Sequence, residues 1–260
     1  VLDLRGAGPV VITATADATD AGAQQGTVQF ADGSTLQFFQ IETILRDSNG
    51  VVDGTAGNDV ITPTSGPGGT PFTDADGDQV DGGDGVNDTI AAGAGNDVVD
   101  AGAGNDTVFG GTGTDSLTGG AGNDSLTGGA GRDTFTVGSG TDAISDLSGE
   151  EVLVVAAGAT AQATLSAAWA ATGATSNSGV VTLTTAGFAL DLSAVTNGTA
   201  GFGVINTGDA TSFIGSAQAD TLTGGSGSDT LTGGLGADWL MGGGGEDWVR
   251  YDASSAAVNV

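Results

Sequence analysis

A nine-residue phrase recurs along this chain, and its spacing leaves few folds open. The copy Gly119-Gly120-Ala121-Gly122-Asn123-Asp124-Ser125-Leu126-Thr127 shows it fully: six glycine-rich positions ending in aspartate, then three residues with one apolar side chain between two polar ones. Six copies run from Gly82 to Thr136, and four more run from Gly215 to Arg250. The last three residues of a copy make a short strand whose middle side chain faces inward, because successive strand side chains point to opposite faces. The first six make a turn in which glycine takes positive φ without a Cβ clash. Two copies close one coil of about 18 residues, and coils stack at the strand spacing of roughly 4.8 Å. Aspartates two copies apart, such as Asp106 and Asp124, then lie in stacked turns.

The register opens at Gly54, with Gly57 at position four, Asp59 at six and Ile61 at eight. Residues 63–72 interrupt it. Residues 73–81 restore it with Asp78 and Val80, and residues 82–91 carry one extra residue and use Asp88 and Ile90. Regular copies follow with Asp97, Asp106, Asp115, Asp124 and Asp133, each two residues ahead of an apolar partner (Val99, Val108, Leu117, Leu126 and Phe135). A weaker copy at 137–145 closes the array with Asp142 and Ile144. The second array sets Asp220, Asp229, Asp238 and Asp247 beside Leu222, Leu231, Leu240 and Val249.

These patterns divide the chain into a strand-rich segment at 1–50, a first roll at 51–149, a strand-rich spacer at 150–214, a second roll at 215–250, and the start of a further strand or cap at 251–260. In the first segment Val10-Val11-Ile12-Thr13 and Gly26-Thr27-Val28-Gln29-Phe30 are strand-forming runs, and Ala31-Asp32-Gly33-Ser34 has hairpin-turn chemistry. In the spacer, 150–155, 180–184, 188–192 and 202–205 read as strands and 164–171 as a short helix. The alternating pattern Ala256-Ala257-Val258-Asn259-Val260 breaks off without a turn, which suggests a piece of a longer protein.

The chain carries 32 acidic residues against four arginines and no lysine, a formal net charge of −28. Such a surface repels nucleic acid and anionic membranes. Only four of the acids are glutamate, and many of the aspartates occupy one repeat position, so a ligand role is the natural reading. The absence of cysteine and histidine excludes disulfides, Ser-His and Cys-His dyads and the usual zinc sites. No apolar run approaches the roughly 20 residues of a membrane helix. Acidic pairs are so common that none stands out as a catalytic pair, and this segment is read as non-enzymatic.

One buried Val, Leu or Phe per copy contributes about 1.5–3 kcal/mol. Ordering nine residues costs about 1–2 kcal/mol each, with glycine at the expensive end. Stacked carboxylates at this spacing repel by about 3 kcal/mol at an effective dielectric near 20. Apolar burial therefore loses unless a cation joins the turns. Calcium, which takes six to eight oxygens in flexible geometry, suits such a ladder better than magnesium, which keeps its waters in a tighter octahedron.

The two arrays closely resemble the RTX, or haemolysin-type, calcium-binding repeat family over about half the chain. The resemblance implies an all-β fold of parallel β-rolls, a β-solenoid with flanking strand-rich segments, and several bound Ca2+ ions. It implies that carbonyls at positions one, three and five of one turn share an ion with carbonyls at two and four and the aspartate at six of a neighbouring turn. Carried onto this sequence, the aspartate ligands are Asp78, Asp88, Asp97, Asp106, Asp115, Asp124, Asp133, Asp142, Asp229, Asp238 and Asp247. The paired carbonyl donors are Gly93, Gly95, Gly102, Gly104, Gly111, Gly113, Gly120, Gly122, Gly129 and Gly131, with Gly225, Gly227, Gly234 and Gly236 in the second array. The extra residue near Val86 and the non-glycine Gln218 mark weak points. The resemblance also implies a Gram-negative source and type I export to the cell exterior.

Plainer readings compete at several positions. A position-six aspartate can simply cap its own turn, above all at the array ends, Asp59 and Asp220. Asp74-Ala75-Asp76-Gly77-Asp78 looks like part of an EF-hand loop, but residue 85 is glycine where that loop needs a bidentate glutamate. Asn96, Asn105 and Asn123 suit turn backbone better than metal. Trp239 and Trp248, at position seven, face outward, either packed against a cap or offered to a partner or carbohydrate. Thr118 and Thr136 align too briefly for an ice-binding ladder. The leading expectation is an extracellular structural or adhesive protein of surface-layer, fibre or adhesin type, with self-assembly or a protein partner at the roll ends. The alternative is the secretion and folding module of an exported enzyme or toxin whose catalytic domain lies elsewhere. In either case circular dichroism should show little β-structure in the arrays in excess chelator and a β-rich spectrum in millimolar calcium; a full β signal in chelator contradicts the energetic argument.

Overall fold

The computed structural model describes residues 2–3, 10–16, 24–30, 34–41, 44–45, 51–63, 80 and 85–250. All regular structure among them is β-strand. Contacts divide the chain into two units, Val1–Gly50 with Ala75–Asp78, and Val51–Asp74 with Gln79–Val260. In the first, Val10–Ala16, Gln24–Phe30 and Thr35–Ile41 form an antiparallel sheet. Gln29 lies opposite Thr35, and Leu2–Asp3 pairs in parallel with Ile44–Leu45.

The second unit is a parallel β-solenoid. Val108 pairs with Ile90 on one side and Leu126 on the other, and on the facing sheet Leu117 pairs with Val99 and Phe135. Each step is 18 residues, two copies of the repeat. The position-eight side chains from Ile90 through Ile144 are all buried, in a narrow core between the two sheets. The intervening turns are tight. Gly111 and Gly113 have φ of 107° and 141°, and a Cβ on either would strike the carbonyl oxygen of Gly93 or Gly95 one coil earlier. Glycine is required there for conformation and for closeness of approach.

The first coil departs from this step. Val52 pairs with Ile90, and Val60–Ile61 pairs with Val98–Val99, both 38 residues on. The copy holding Asp59 therefore lies directly beneath the copy holding Asp97. Val80 is buried in the core, whereas Asp78 lies outside the described residues, as does most of the irregular stretch before it.

Residues 150–214 are strands of the same solenoid. One sheet runs unbroken through ten strands from Val52–Thr55 to Trp239–Gly244. Between Ile144 and Gly149 its register shifts, and the coils widen from two sides to three. Thr160 pairs with Val180, twenty residues on, while Trp169 pairs with Leu190 and Leu190 with Phe213. The strand Thr160–Ala170 turns the corner, pairing with Val180–Thr185 at its start and with Leu190–Asp191 at its end. The second sheet of the first roll continues through Val152–Val155 and Ser176–Asn177 and stops at Asn197–Gly198. The second roll builds its second sheet on the new side instead, through Ser212–Ile214, Thr230–Thr232 and Trp248–Arg250. The two arrays thus share one sheet and not the other.

The helix expected at 164–171 is a strand. Ala161, Ala163 and Leu165 face inward and Gln162, Thr164 and Ser166 outward, a two-residue alternation that parallel neighbours on both sides hold in place. Alanine's helical preference is too small to compete with that ladder. The wider cross-section is filled by Trp169, Phe202 and Phe213, all buried, where the rolls use mainly Val, Leu and Ile. The Trp169 indole N–H donates to the Glu151 carbonyl at 3.0 Å, so its polar end is satisfied. Trp169→Ala should cost about 3–5 kcal/mol, measured by denaturant unfolding in saturating calcium. A loss below about 1 kcal/mol, far under that range, means these coils are not packed as described.

Candidate functional site

Both edges of each roll carry a file of position-six carboxylates. The Oδ1 atom of each accepts a hydrogen bond from the position-six N–H of the coil before. Asp97 N donates to Asp115 Oδ1 at 2.8 Å and Asp115 N to Asp133 Oδ1 at 2.9 Å. On the other edge Asp88, Asp106 and Asp124 donate to Asp106, Asp124 and Asp142 at 2.8, 2.9 and 3.2 Å. In the second array Asp220 and Asp229 donate to Asp238 and Asp247 at 3.0 Å each. The asparagines run the opposite way: Asn96, Asn105 and Asn123 Oδ1 accept from the N–H of Thr114, Asn123 and Thr141 in the coil after, each at 2.8 Å. These amide oxygens brace turn backbone.

The second carboxylate oxygen is different. Oδ2 of Asp97, Asp106, Asp115, Asp124, Asp133, Asp142 and Asp229 is buried with no hydrogen-bond partner. Its surroundings are oxygen-rich. A Cβ placed on Gly110 would meet Asp115 Oδ2 at 2.6 Å and the Gly128 carbonyl oxygen at 2.7 Å. The same pair of oxygens, Asp229 Oδ2 and Gly242 O, borders Gly224. A cradle that only glycine leaves open is therefore lined by a free carboxylate oxygen and a carbonyl of the coil after. Among the described residues no three acidic side chains gather at one point, so any cation held here draws most of its ligands from backbone carbonyls. All fourteen glycines expected as carbonyl donors, Gly93 through Gly131 and Gly225 through Gly236, have positive φ.

Several of these carboxylates are poorly stabilised as anions. Burial raises Asp106 to about 6, helped by the charges of Asp124 and Asp88 and opposed by the Asp88 N–H. Burial likewise raises Asp142 to about 7 and Asp220 to about 6, and shifts Asp115, Asp124, Asp133 and Asp238 upward. A hard cation in place of protons removes that penalty. The free oxygens, the glycine cradles and the carbonyl-rich surroundings all suit calcium.

A family model of the RTX calcium-binding nonapeptide repeat, in four copies, matches residues 82–117, 109–144 and 214–249. These arrays are RTX calcium-binding repeats. No curated protein matches the chain significantly.

The RTX register extends one copy past the first matched array. Residues 146–154 stack on the copy at 128–136, with Val152 paired to Thr134 and Val152 N donating to Asp133 O at 2.9 Å. Position six there is Glu151, buried and held by the Ser148 N–H at 2.6 Å. Position one is Asp146, which accepts from the N–H groups of Gly128 and Gly129 at 3.1 and 2.7 Å. Burial first, and then the charges of Asp146 and Asp133, push the Glu151 carboxyl up to about 8. Sequence reading missed this rung because the glycines at positions one and two and the aspartate at six are gone, leaving Gly149 at position four; counting 18 residues on from Asp133 finds it. Before the second array, Phe202 and Thr211 occupy position six and donate their N–H to Asp220 and Asp229 at 2.7 and 2.8 Å.

A carboxyl whose folded pKa is raised favours the fold below its unfolded pKa, and that contribution is lost as pH rises through the folded value. The raised values here place this loss between about pH 4 and 8. In chelator, the β signal of dilute protein should therefore increase as pH falls from 8 to 5. A metal-free spectrum that is flat or weakens over this range contradicts the assignment of buried, uncompensated carboxylates.

Proposed function

We propose that this chain is a calcium-folded, non-enzymatic structural or adhesive segment of an extracellular protein, of surface-layer, fibre or adhesin type. Calcium is held by the position-six aspartates from Asp88 to Asp142 and by Asp229, Asp238 and Asp247, with glycine carbonyls of the stacked turns completing each shell. The ion neutralises carboxylates that otherwise repel, and each turn is clamped to the next. The observation that carries this reading is the sheet that runs unbroken from the first array into the second. It couples both ladders into one element, so that loading them stiffens the whole length rather than two separate beads. RTX repeats are typical of type I-secreted proteins, and in this reading the chain leaves the cell unfolded and folds where calcium is abundant.

Trp239 and Trp248 support an adhesive role. They stand on opposite sheets in adjacent copies, opposite Thr221 and Thr230, and are 67% and 69% exposed. Indole rings this open suit contact with another subunit or domain. The second reading is a folding and secretion module for a catalytic domain outside this chain, and the repeat family itself favours it.

Light scattering separates the two. The structural reading expects assembly in millimolar calcium, none in chelator, and a clear reduction in Trp248→Ala. A chain that folds in calcium yet stays monomeric, or a variant that assembles like the parent, shifts the conclusion to the export module.

A further inference from the structure

Among the described residues, the first copy of each array differs from the turns with free carboxylate oxygens. In the copy that opens at Gly54, Asp59 Oδ2 accepts from the Thr55 N–H at 2.6 Å and from the Thr55 hydroxyl at 2.9 Å. The same hydroxyl accepts from Gly57 N at 3.0 Å. The copy that opens at Gly215 repeats this arrangement. Asp220 Oδ2 accepts from the Ser216 N–H at 2.6 Å and its hydroxyl at 2.9 Å, and Ser216 Oγ accepts from Gln218 N at 3.1 Å. Both copies carry a hydroxyl residue at position two, where Gly93, Gly102, Gly111, Gly120 and Gly129 stand in the first array.

The chain contains its own control. Gly54-Thr55-Ala56-Gly57-Asn58-Asp59 and Gly119-Gly120-Ala121-Gly122-Asn123-Asp124 differ at position two alone. In the second, Asp124 Oδ2 is buried without a partner. In the first, the equivalent atom has two donors. A donor N–H and O–H at these distances occupy the lone pairs a cation needs, and their hydrogens turn positive charge toward its place. Such a hydroxyl cannot be set into the regular turns. Gly120 has φ of 105°, and a Cβ there would strike the Gly102 carbonyl of the coil before.

We propose that position two decides which turns take a cation: glycine leaves the aspartate oxygen open, whereas Thr55 and Ser216 close it, so that the first turn of each array forms without metal. This rests on the calcium reading above and adds a polarity to it. Each array starts from a turn that needs no ion, and the ion-dependent coils are laid on it.

The test is the calcium stoichiometry of the full chain at saturation, by equilibrium dialysis with metal analysis, with dichroism in calcium as a check on folding. Thr55→Gly makes the first six residues of its copy identical to 119–124 and should add one ion. Asp59→Asn should leave the wild-type count unchanged and should abolish the gain in the Thr55→Gly background. An unchanged count in folded Thr55→Gly overturns the proposal. So does the loss of one ion in Asp59→Asn alone, a measurement that stands even if the glycine variant fails to fold. Asp124→Asn, which should lower the count, tests the calcium reading separately: a wild type that binds no calcium defeats that reading, not only this refinement.

Discussion

Along the first roll from Asp97 to Asp142, and again at Asp229, the turns bury a carboxylate oxygen that the protein itself leaves without a partner. One oxygen of the pair is used well, accepting the N–H of the coil before and so fixing the stacking distance. The other borders a glycine cradle that a carbonyl oxygen of the coil after also lines, as at Gly110 and Gly224. A polar atom in that position costs more than a mutual contact with its neighbours returns. The glycines that let the turns approach so closely also bring these oxygens together. Close stacking and charge accumulation are the same feature, and a divalent cation reconciles them. In the calcium reading the need for a cation follows from the backbone path, because the apolar file inside each roll is thin.

The middle coils are stabilised differently. From Ile144 to Phe213 the solenoid opens to three sides, and Trp169, Phe202 and Phe213 supply the apolar volume that the rolls lack. Buried polar groups there are satisfied by the chain: Asn177 Nδ2 donates to Gly201 O, and the Asn177 and Asn206 side-chain oxygens accept from Gly179 and Gly187 N–H. This segment carries the shared sheet from one ladder to the other while moving the second sheet to a new side. A metal-dependent rod with an apolar joint is the physical picture behind the structural reading, and the exposed tryptophans of the last copies give it a surface to offer.

Much of this was legible in the repeat. The 18-residue step, the buried file from Ile90 to Ile144 and the parallel pairing all follow from a nine-residue period with one inward side chain. Three features did not follow. Glu151 was hard to see because its copy keeps the register but retains only Gly149 at position four and Leu153 at position eight, with no aspartate at six. The strand at Thr160–Ala170 was misread because alanine-rich composition is a weak guide when neighbouring strands decide the pairing. The 38-residue step beneath Asp97 depends on which copy stacks where, and spacing along the chain does not determine that when an irregular stretch intervenes.

The sequence by itself marked two arrays of RTX calcium-binding repeats and their stacked turns, because glycine and aspartate recur at fixed offsets around one inward apolar residue. Tertiary structure decided the rest, through contacts between residues far apart in the chain. It showed that the two arrays share one sheet, and that the second sheet changes sides where wider coils intervene. It also separated aspartates that look alike in sequence. Asp59 and Asp124 end nearly identical hexapeptides, yet one is held by a hydroxyl and the other is left open. Whether a carboxylate is free depends on which donor its fold brings within reach, and a repeat pattern alone does not record that.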